Sequence, residues 1–158
     1  MVNEARILIV DDDENIRRVL AAILEDKGYR IDTAGTASDA IKRTQTEFFN
    51  LALIDIRLPD MEGIDLLGRI KETTPRMRKI VITGYPTLQN AVEAVNRGAD
   101  AYIMKPFDVE RVLTIIGEQL KKQEQDKKYS QDRVAEFIET KVRELDTEQT
   151  CQNQSTPQ

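Results

Sequence analysis

Histidine is absent from this sequence of 158 residues. That gap removes Ser-His-Asp and Cys-His catalysis, together with every histidine-bearing zinc site. Acid–base, metal or phosphoryl chemistry must then run on carboxylates, lysine, threonine or tyrosine. Cysteine is nearly absent too: Cys151 stands alone in a polar tail, so no intramolecular disulfide can form. No apolar run approaches the length that crosses a bilayer, and the N-terminus lacks a secretory signal pattern. A cytoplasmic location without membrane contact is the expectation. Excess positive charge is missing as well. A formal net charge of −5 argues against direct nucleic-acid binding, because phosphate contacts need clustered lysine and arginine.

What remains is ordinary core-forming material, 40% hydrophobic and 32% charged, enough for one domain and a modest appendage. The organising stretch runs from Leu51 to Gly63. Its apolar residues stop abruptly on Asp55, and Pro59 and Gly63 then force a turn. Such a run suits a strand buried on both faces, which places Asp55 at the mouth of a sheet on a rigid element. Alone, an aspartate at a strand end is most often a turn former or a cap. Three other apolar runs end the same way here, each on different chemistry.

In chain order, Arg6–Val10 reads as a strand cut off by Asp11, Asp12 and Asp13. Ile16, Val19, Leu20, Ile23 and Leu24 then recur at helical spacing, with Asp13 as the cap and Gly28 as the stop. Tyr29 to Ala34 is a weaker strand, and Ala37, Ala40, Ile41, Thr44 and Phe48 mark a second helix. After Asp55, the residues Ile64, Leu67 and Ile70 mark a third helix ahead of Pro75. Lys79–Ile82 is a fourth strand, ending on Thr83 and Gly84. The helix after Pro86 is poor in large apolar residues (Leu88, Val92, Val95) and stops at Gly98. Ala101–Met104 is the fifth strand, ending on Lys105 and Pro106. Val109, Val112, Leu113, Ile116 and Leu120 then line a fifth helix.

Five strand–helix alternations predict an α/β fold, a doubly wound parallel sheet with right-handed crossovers. In such sheets the working site lies beyond the carboxyl ends of the strands. That edge collects Asp11, Asp12, Asp55, Thr83 and Lys105. Three carboxylates gathered there repel one another, and a hard divalent cation with oxygen ligands is the remedy. They are too few to enclose calcium, so magnesium is the better fit. Magnesium beside a lysine and a hydroxyl is equipment for phosphoryl transfer, with Asp55 as the nucleophile that would form an acyl phosphate.

Asp11-Asp12, Asp55 with Pro59 and Gly63, Thr83-Gly84, Tyr102 and Lys105-Pro106-Phe107 together resemble the receiver domain of two-component response regulators. The likeness covers about Arg6 to Leu120, within a domain placed at residues 1–121. It implies a flavodoxin-like five-stranded sheet in the order 2-1-3-4-5. It implies further that Asp55 is the phosphoacceptor, becoming 4-aspartylphosphate, with Thr83 and Lys105 completing the catalytic set. Asp12, Asp55 and the Arg57 backbone carbonyl would ligate Mg2+, or Mn2+ in its place, and Asp11 would hold a metal-bound water. Thr83 and Tyr102 match the switch pair, and the Lys105–Pro106 bond would be cis.

The function so implied is a phosphorylation-activated signalling switch, not an enzyme acting on outside substrates. Lacking histidine, the chain needs a sensor histidine kinase or phosphotransfer protein as its phosphohistidine donor. That partner is expected to dock on the first helix around Ile16 to Leu20. The response should appear on the face of the fourth helix, fifth strand and fifth helix, and pass to a downstream protein target by contact. Arg57 and Tyr85 flank the path of the hydrolytic water, and both are bulky, so slow self-dephosphorylation is expected.

Lys121 to Arg133 is almost wholly polar, after which Val134, Ile138, Val142 and Leu145 fall on one stripe with Phe137 beside it. Residues 122–146 therefore read as a helical extension or linker, continuous with the fifth helix or broken near Tyr129 and Ser130. The stripe either packs on its own domain or makes a homodimer contact, with a phosphorylation-dependent homodimer as one form of the second alternative. Residues 147–158 read as a disordered tail. The wording Asp55-Ile56-Arg57-Leu58-Pro59 and Thr83-Gly84-Tyr85-Pro86 resembles receivers attached to enhancer-binding transcription factors. The chain thus reads as a stand-alone receiver or as the receiver of a longer regulator. A distant rival is a haloacid-dehalogenase-type phosphatase, for which Asp11-Asp12-Asp13 offers an Asp-x-Asp. Asn15 stands where that family usually has Thr or Val, and its late paired-acidic motif and cap domain are missing.

Overall fold

Parallel strands in the order β2-β1-β3-β4-β5 form the centre of the computed structural model, which describes residues 5–154 and, over 146–154, the backbone course alone. The strands are β1 (Arg6–Val10), β2 (Arg30–Ala34), β3 (Leu51–Asp55), β4 (Arg78–Thr83) and β5 (Ala101–Met104). Between them run α1 (Glu14–Asp26), α2 (Ala37–Thr46), α3 (Gly63–Leu67) and α4 (Leu88–Asn96), and α5 (Val109–Gln154) follows. The class and strand order are those the alternation and the resemblance implied.

Side-chain parity explains why both faces of the sheet must be covered, since successive residues on a strand point to opposite sides. Leu8, Val10, Ala52, Ile54 and Val81 pack with Ala37, Ala40, Phe49, Ile64, Leu66 and Ala94. Their strand neighbours Ile7, Ile9, Leu51, Leu53, Ile80, Ile82 and Ile103 pack with Leu20, Leu24, Val112 and Ile116. Burying β3 and β4 on both sides requires continuous apolar runs, and those are what the sequence supplies. The register pairs Val10 with Ile54, Asp55 with Ile82 and Thr83 with Met104, so the residues that end the strands arrive at one edge.

Local chemistry sets the helix ends. The Asp13 side chain accepts from the amides of Asn15 and Ile16, and Gly28 takes φ 94° just past α1, so that cap and that stop are as expected. Gly98 does the same after α4 at φ 96°. Three expectations need correction. The third helix is only Gly63–Leu67 and gives way at Gly68, a poor helix former, so Ile70 reaches the core from a turn. The second helix ends at Thr46, leaving Phe48 outside it and exposed, while Phe49 is the fully buried aromatic. The backbone of α5 continues through Gln154, so 147–154 carry helix where no order was expected; 155–158 lie outside the described residues.

The chain divides into two units, Met1–Gln123 and Glu124–Gln158. Gln123 shows why the first unit ends where it does. Its buried side chain donates to the carbonyls of Asn50 and Arg76, both at 2.8 Å, and accepts from Asn50 Nδ2 at 3.1 Å. In the second unit, all side chains from Glu124 to Leu145 are exposed. Val134, Phe137, Ile138, Val142 and Leu145 are among them. No described helix is long and apolar enough to cross a membrane.

Candidate functional site

The carboxyl edge of the sheet gathers the residues picked out by strand endings. Asp11 follows β1, Asp55 closes β3, Thr83 closes β4, and Lys105 follows β5. Asp11, Asp12 and Asp55 each present a carboxylate oxygen within 4.8 Å of the others. Lys105 Nζ reaches across to them, 3.0 Å from Asp11 Oδ2 and 3.1 Å from Asp55 Oδ2. Asp11 and Asp55 are buried, whereas Asp12 is exposed, which leaves the cluster one open side.

Backbone amides aim the buried carboxylates. Asp11 Oδ1 accepts from the Asp13 amide at 2.9 Å, and Asp55 Oδ1 accepts from the Arg57 amide at 3.2 Å. Gly63 sits so close to β3 that a Cβ there would lie 2.1 Å from the Asp55 carbonyl oxygen. Its amide donates to the Ile56 carbonyl at 2.6 Å. Only glycine permits that approach. The Lys105 backbone amide bonds the Thr83 carbonyl at 2.7 Å, and the Lys105–Pro106 peptide is cis, as the resemblance implied. Thr74–Pro75 is cis as well, which was not anticipated.

Electrostatics follow from this crowding. Burial raises the pKa of Asp55 above the ordinary carboxylate value, and the Asp11 charge raises it further; Lys105 and the Arg57 amide oppose. Burial alone would lower Lys105, but hydrogen bonds and charges from Asp11 and Asp55 outweigh it and hold the ammonium above its usual value. A buried acid that resists ionising beside a cation held charged is a site short of positive charge. Three oxygen donors from two strands, open to solvent at Asp12, fit a hard divalent cation.

Thr83 ends β4 beside Lys105, and the Tyr102 hydroxyl approaches the Thr83 side chain. The Thr83 hydroxyl is buried and accepts from the Tyr85 amide at 3.0 Å, which leaves its proton available to donate. The Tyr102 ring is half-buried against the core, and among the described residues its buried hydroxyl has no hydrogen-bond partner. Burial pushes that phenol above its usual value, only partly offset by its approach to the Thr87 backbone and the Thr83 side chain. Arg57 is exposed, with its guanidinium carbon 3.6 Å from the centroid of the Tyr85 ring.

The edge residues legible in the sequence are therefore brought together. One long-range contact of the neighbouring loop was missed. Asp60 reaches out of the same loop to the start of α2, where both of its oxygens accept backbone amides. Its place beside Pro59 signals only a turn, and its partners lie far along the chain.

A doubly wound sheet with an acidic pocket and a lysine at its carboxyl edge defines a class, and the comparisons agree with it. The response regulator receiver domain family matches residues 7–117, and the chain belongs to that family. The alginate biosynthesis transcriptional regulatory protein AlgB of Pseudomonas putida is 35% identical over 118 residues, covering 75% of this chain and 26% of that protein. The DNA-binding transcriptional regulator NtrC of Azospirillum brasilense is 37% identical over 115 residues, covering 73% and 24%. The chain thus spans about a quarter of the length of the curated relatives it matches. Among solved structures, a CheY-like receiver domain protein from Methanospirillum hungatei is 48% identical with a TM-score of 0.75, covering 78% of this chain and 99% of that one. The beryllofluoride-activated NtrC4 receiver domain dimer is 41% identical with a TM-score of 0.70, covering 75% and 98%.

Proposed function

We propose that this receiver is a phosphorylation-driven switch in which Asp55 is the acceptor, and that it works in the cytoplasm. The observation that carries the reading is the bridge of Lys105 Nζ to both Asp11 and Asp55 inside a three-carboxylate cluster. An Asp55 oxygen attacks the phosphorus of a phosphohistidine on a partner kinase or phosphotransfer protein. The new P–O bond replaces the P–N bond, and the imidazole leaves with the electron pair. Asp11, Asp12, Asp55 and the Arg57 carbonyl would hold magnesium, which supplies positive charge to the phosphoryl oxygens. Lys105 is placed to pair with another of those oxygens, and Ile16 to Leu20 on α1 is the proposed docking face for the donor.

The output follows from charge. Phosphorylation turns one negative charge on Asp55 into roughly two and adds acceptor oxygens. Thr83 can donate to one of them while it still accepts from Tyr85. Its movement changes the surroundings of the Tyr102 hydroxyl, whose lack of a partner makes a change of position inexpensive. Only Ala94 of α4 is buried, while Leu88, Val92 and Val95 are exposed, so this helix is weakly held and free to shift its equilibrium. Acetyl phosphate and magnesium should add one phosphate per chain, detected by mass spectrometry and abolished by Asp55→Asn. Catalytic turnover of a generic phosphomonoester instead would favour the phosphatase reading.

A second reading concerns the downstream target. The relatives named AlgB and NtrC are transcriptional regulators about four times as long as the shared region, which supports a receiver that works within a longer regulator. A homodimer contact through the exposed stripe from Val134 to Leu145 belongs to that reading, alongside the dimeric NtrC4 receiver.

A further inference from the structure

The loop between β3 and α3 is held at a point that the acidic cluster does not explain. Asp60 is exposed, yet both of its carboxylate oxygens are engaged. Oδ1 accepts from the Ala37 amide at 2.9 Å and Oδ2 from the Ser38 amide at 2.8 Å. These are the first two amides of α2, donors that a helix cannot satisfy from within. The local cap, Thr36, reaches only the Asp39 amide, at 3.1 Å. Asp60 therefore completes the N-terminus of α2 from another loop, and those two amides hold its carboxyl below the ordinary value.

The same loop is fixed twice within itself, by the bridge between Arg57 and Glu62 and by the approach of Gly63 to β3. The Asp60 bonds add an anchor on a separate helix. Arg57, itself one end of that bridge, carries the amide that aims Asp55 Oδ1, and Asp60 lies on the segment between the bridged residues. We propose that Asp60 is a positioning residue for the Asp55 site, bracing the 56–62 loop on α2 so that the Arg57 backbone stays in register with the carboxylate. This rests on the reading of Asp55 as phosphoacceptor. The brace also gives the site a mechanical link to α2, on the side of the sheet away from α5.

The test compares the full chain with Asp60→Ala, Asp60→Asn and Thr36→Ala. Amide hydrogen exchange is read at Ala37, Ser38 and Arg57, magnesium affinity by titration, and phosphate incorporation from acetyl phosphate by mass spectrometry. Asp60→Ala should speed exchange at all three amides and weaken magnesium binding roughly tenfold, as loss of an outer support does. Phosphate incorporation should slow in parallel. Asp60→Asn, which keeps an acceptor, should recover part of each loss. Thr36→Ala weakens the start of α2 without cutting the tether, and should leave magnesium binding and phosphorylation at wild-type levels. Faster exchange at Ala37 and Ser38 with Arg57, magnesium and phosphorylation unchanged would overturn the proposal. So would a Thr36→Ala loss equal to that of Asp60→Ala. If the wild type takes no phosphate, the acceptor reading fails, and the Arg57 exchange still decides whether Asp60 braces the loop.

Discussion

The Arg57 guanidinium lies 3.6 Å from the centroid of the Tyr85 ring, joining the loop after Asp55 to the loop after Thr83 over a gap of sequence that no local pattern spans. A cation at that distance from an aromatic face is attracted by about 0.5–1 kcal/mol at an exposed site. On the proposal that Asp55 is the phosphoacceptor, the pair would screen an acyl phosphate there from water, since Arg57 stands two residues beyond Asp55 and Tyr85 two beyond Thr83. Tyr85→Ala removes the ring and frees the guanidinium, so the acyl phosphate should decay several-fold faster than in the wild type. Decay followed by mass spectrometry after removal of the phosphodonor checks this, and a lifetime that is unchanged or longer would contradict it.

Asp55 also sets a pH dependence. Burial and the neighbouring Asp11 raise its pKa, which means that the folded state binds this proton more tightly than the unfolded state does. The associated stability is complete below the ordinary carboxylate range and is lost as pH rises through the folded value. Without a divalent cation, the penalty of a buried charge grows as pH rises through that value. Asp55→Asn removes the charge while keeping the shape. In chelator at neutral pH its melting temperature should exceed that of the wild type by a few degrees, a gap that closes on acidification past the ordinary carboxylate value. A variant melting at or below the wild type at neutral pH would show that Lys105 already cancels the repulsion.

How much of this was legible depended on the range of the interactions. The strand endings were readable because a strand buried on both faces must be an unbroken apolar run, and a carboxylate, threonine or lysine that ends one is conspicuous. Parity then carried those endings to one edge. Adjacent aromatics defeated the same logic at Phe48 and Phe49, since at a helix end the period no longer says which of the two turns inward. Ile70 was read into a helix because turns and helices share short spacings. The contacts of Asp60 with Ala37 and Ser38, and of Arg57 with Tyr85, join separate loops whose closeness the sheet alone creates.

Gly63 is the position where that closeness is tightest. With a Cβ placed 2.1 Å from the Asp55 carbonyl oxygen, Gly63→Ala cannot be absorbed by a side-chain rotation, because the obstacle is backbone. Either the loop or the end of β3 must move. Overpacking of this kind costs about 1–3 kcal/mol. Chemical denaturation should show that loss, with phosphate incorporation at Asp55 falling more than stability alone would require, because the displaced atoms belong to the proposed acceptor. Full incorporation by a folded Gly63→Ala chain would mean that the strand end tolerates the shift.

The second unit carries its own prediction. Val134, Ile138, Val142 and Leu145 repeat at intervals of three and four on α5, and each is more than half exposed, at 57%, 55%, 51% and 57%. Such a stripe gains by pairing with a like stripe, at about 25 cal/mol for each Å² of apolar surface removed from water. Charges beside it, such as Arg143 with Glu139 and Lys141 with Glu144, keep its flanks soluble without covering it. If a second copy is the occupant, sedimentation with beryllofluoride and magnesium should show a dimer. Ile138→Asp puts a charge in the middle of the seam and should return the chain to monomer while leaving phosphorylation of Asp55 intact. An Ile138→Asp chain that dimerises as the wild type does would place the contact elsewhere, and the exposed residues Leu88, Val92 and Val95 of α4 would be the next to test.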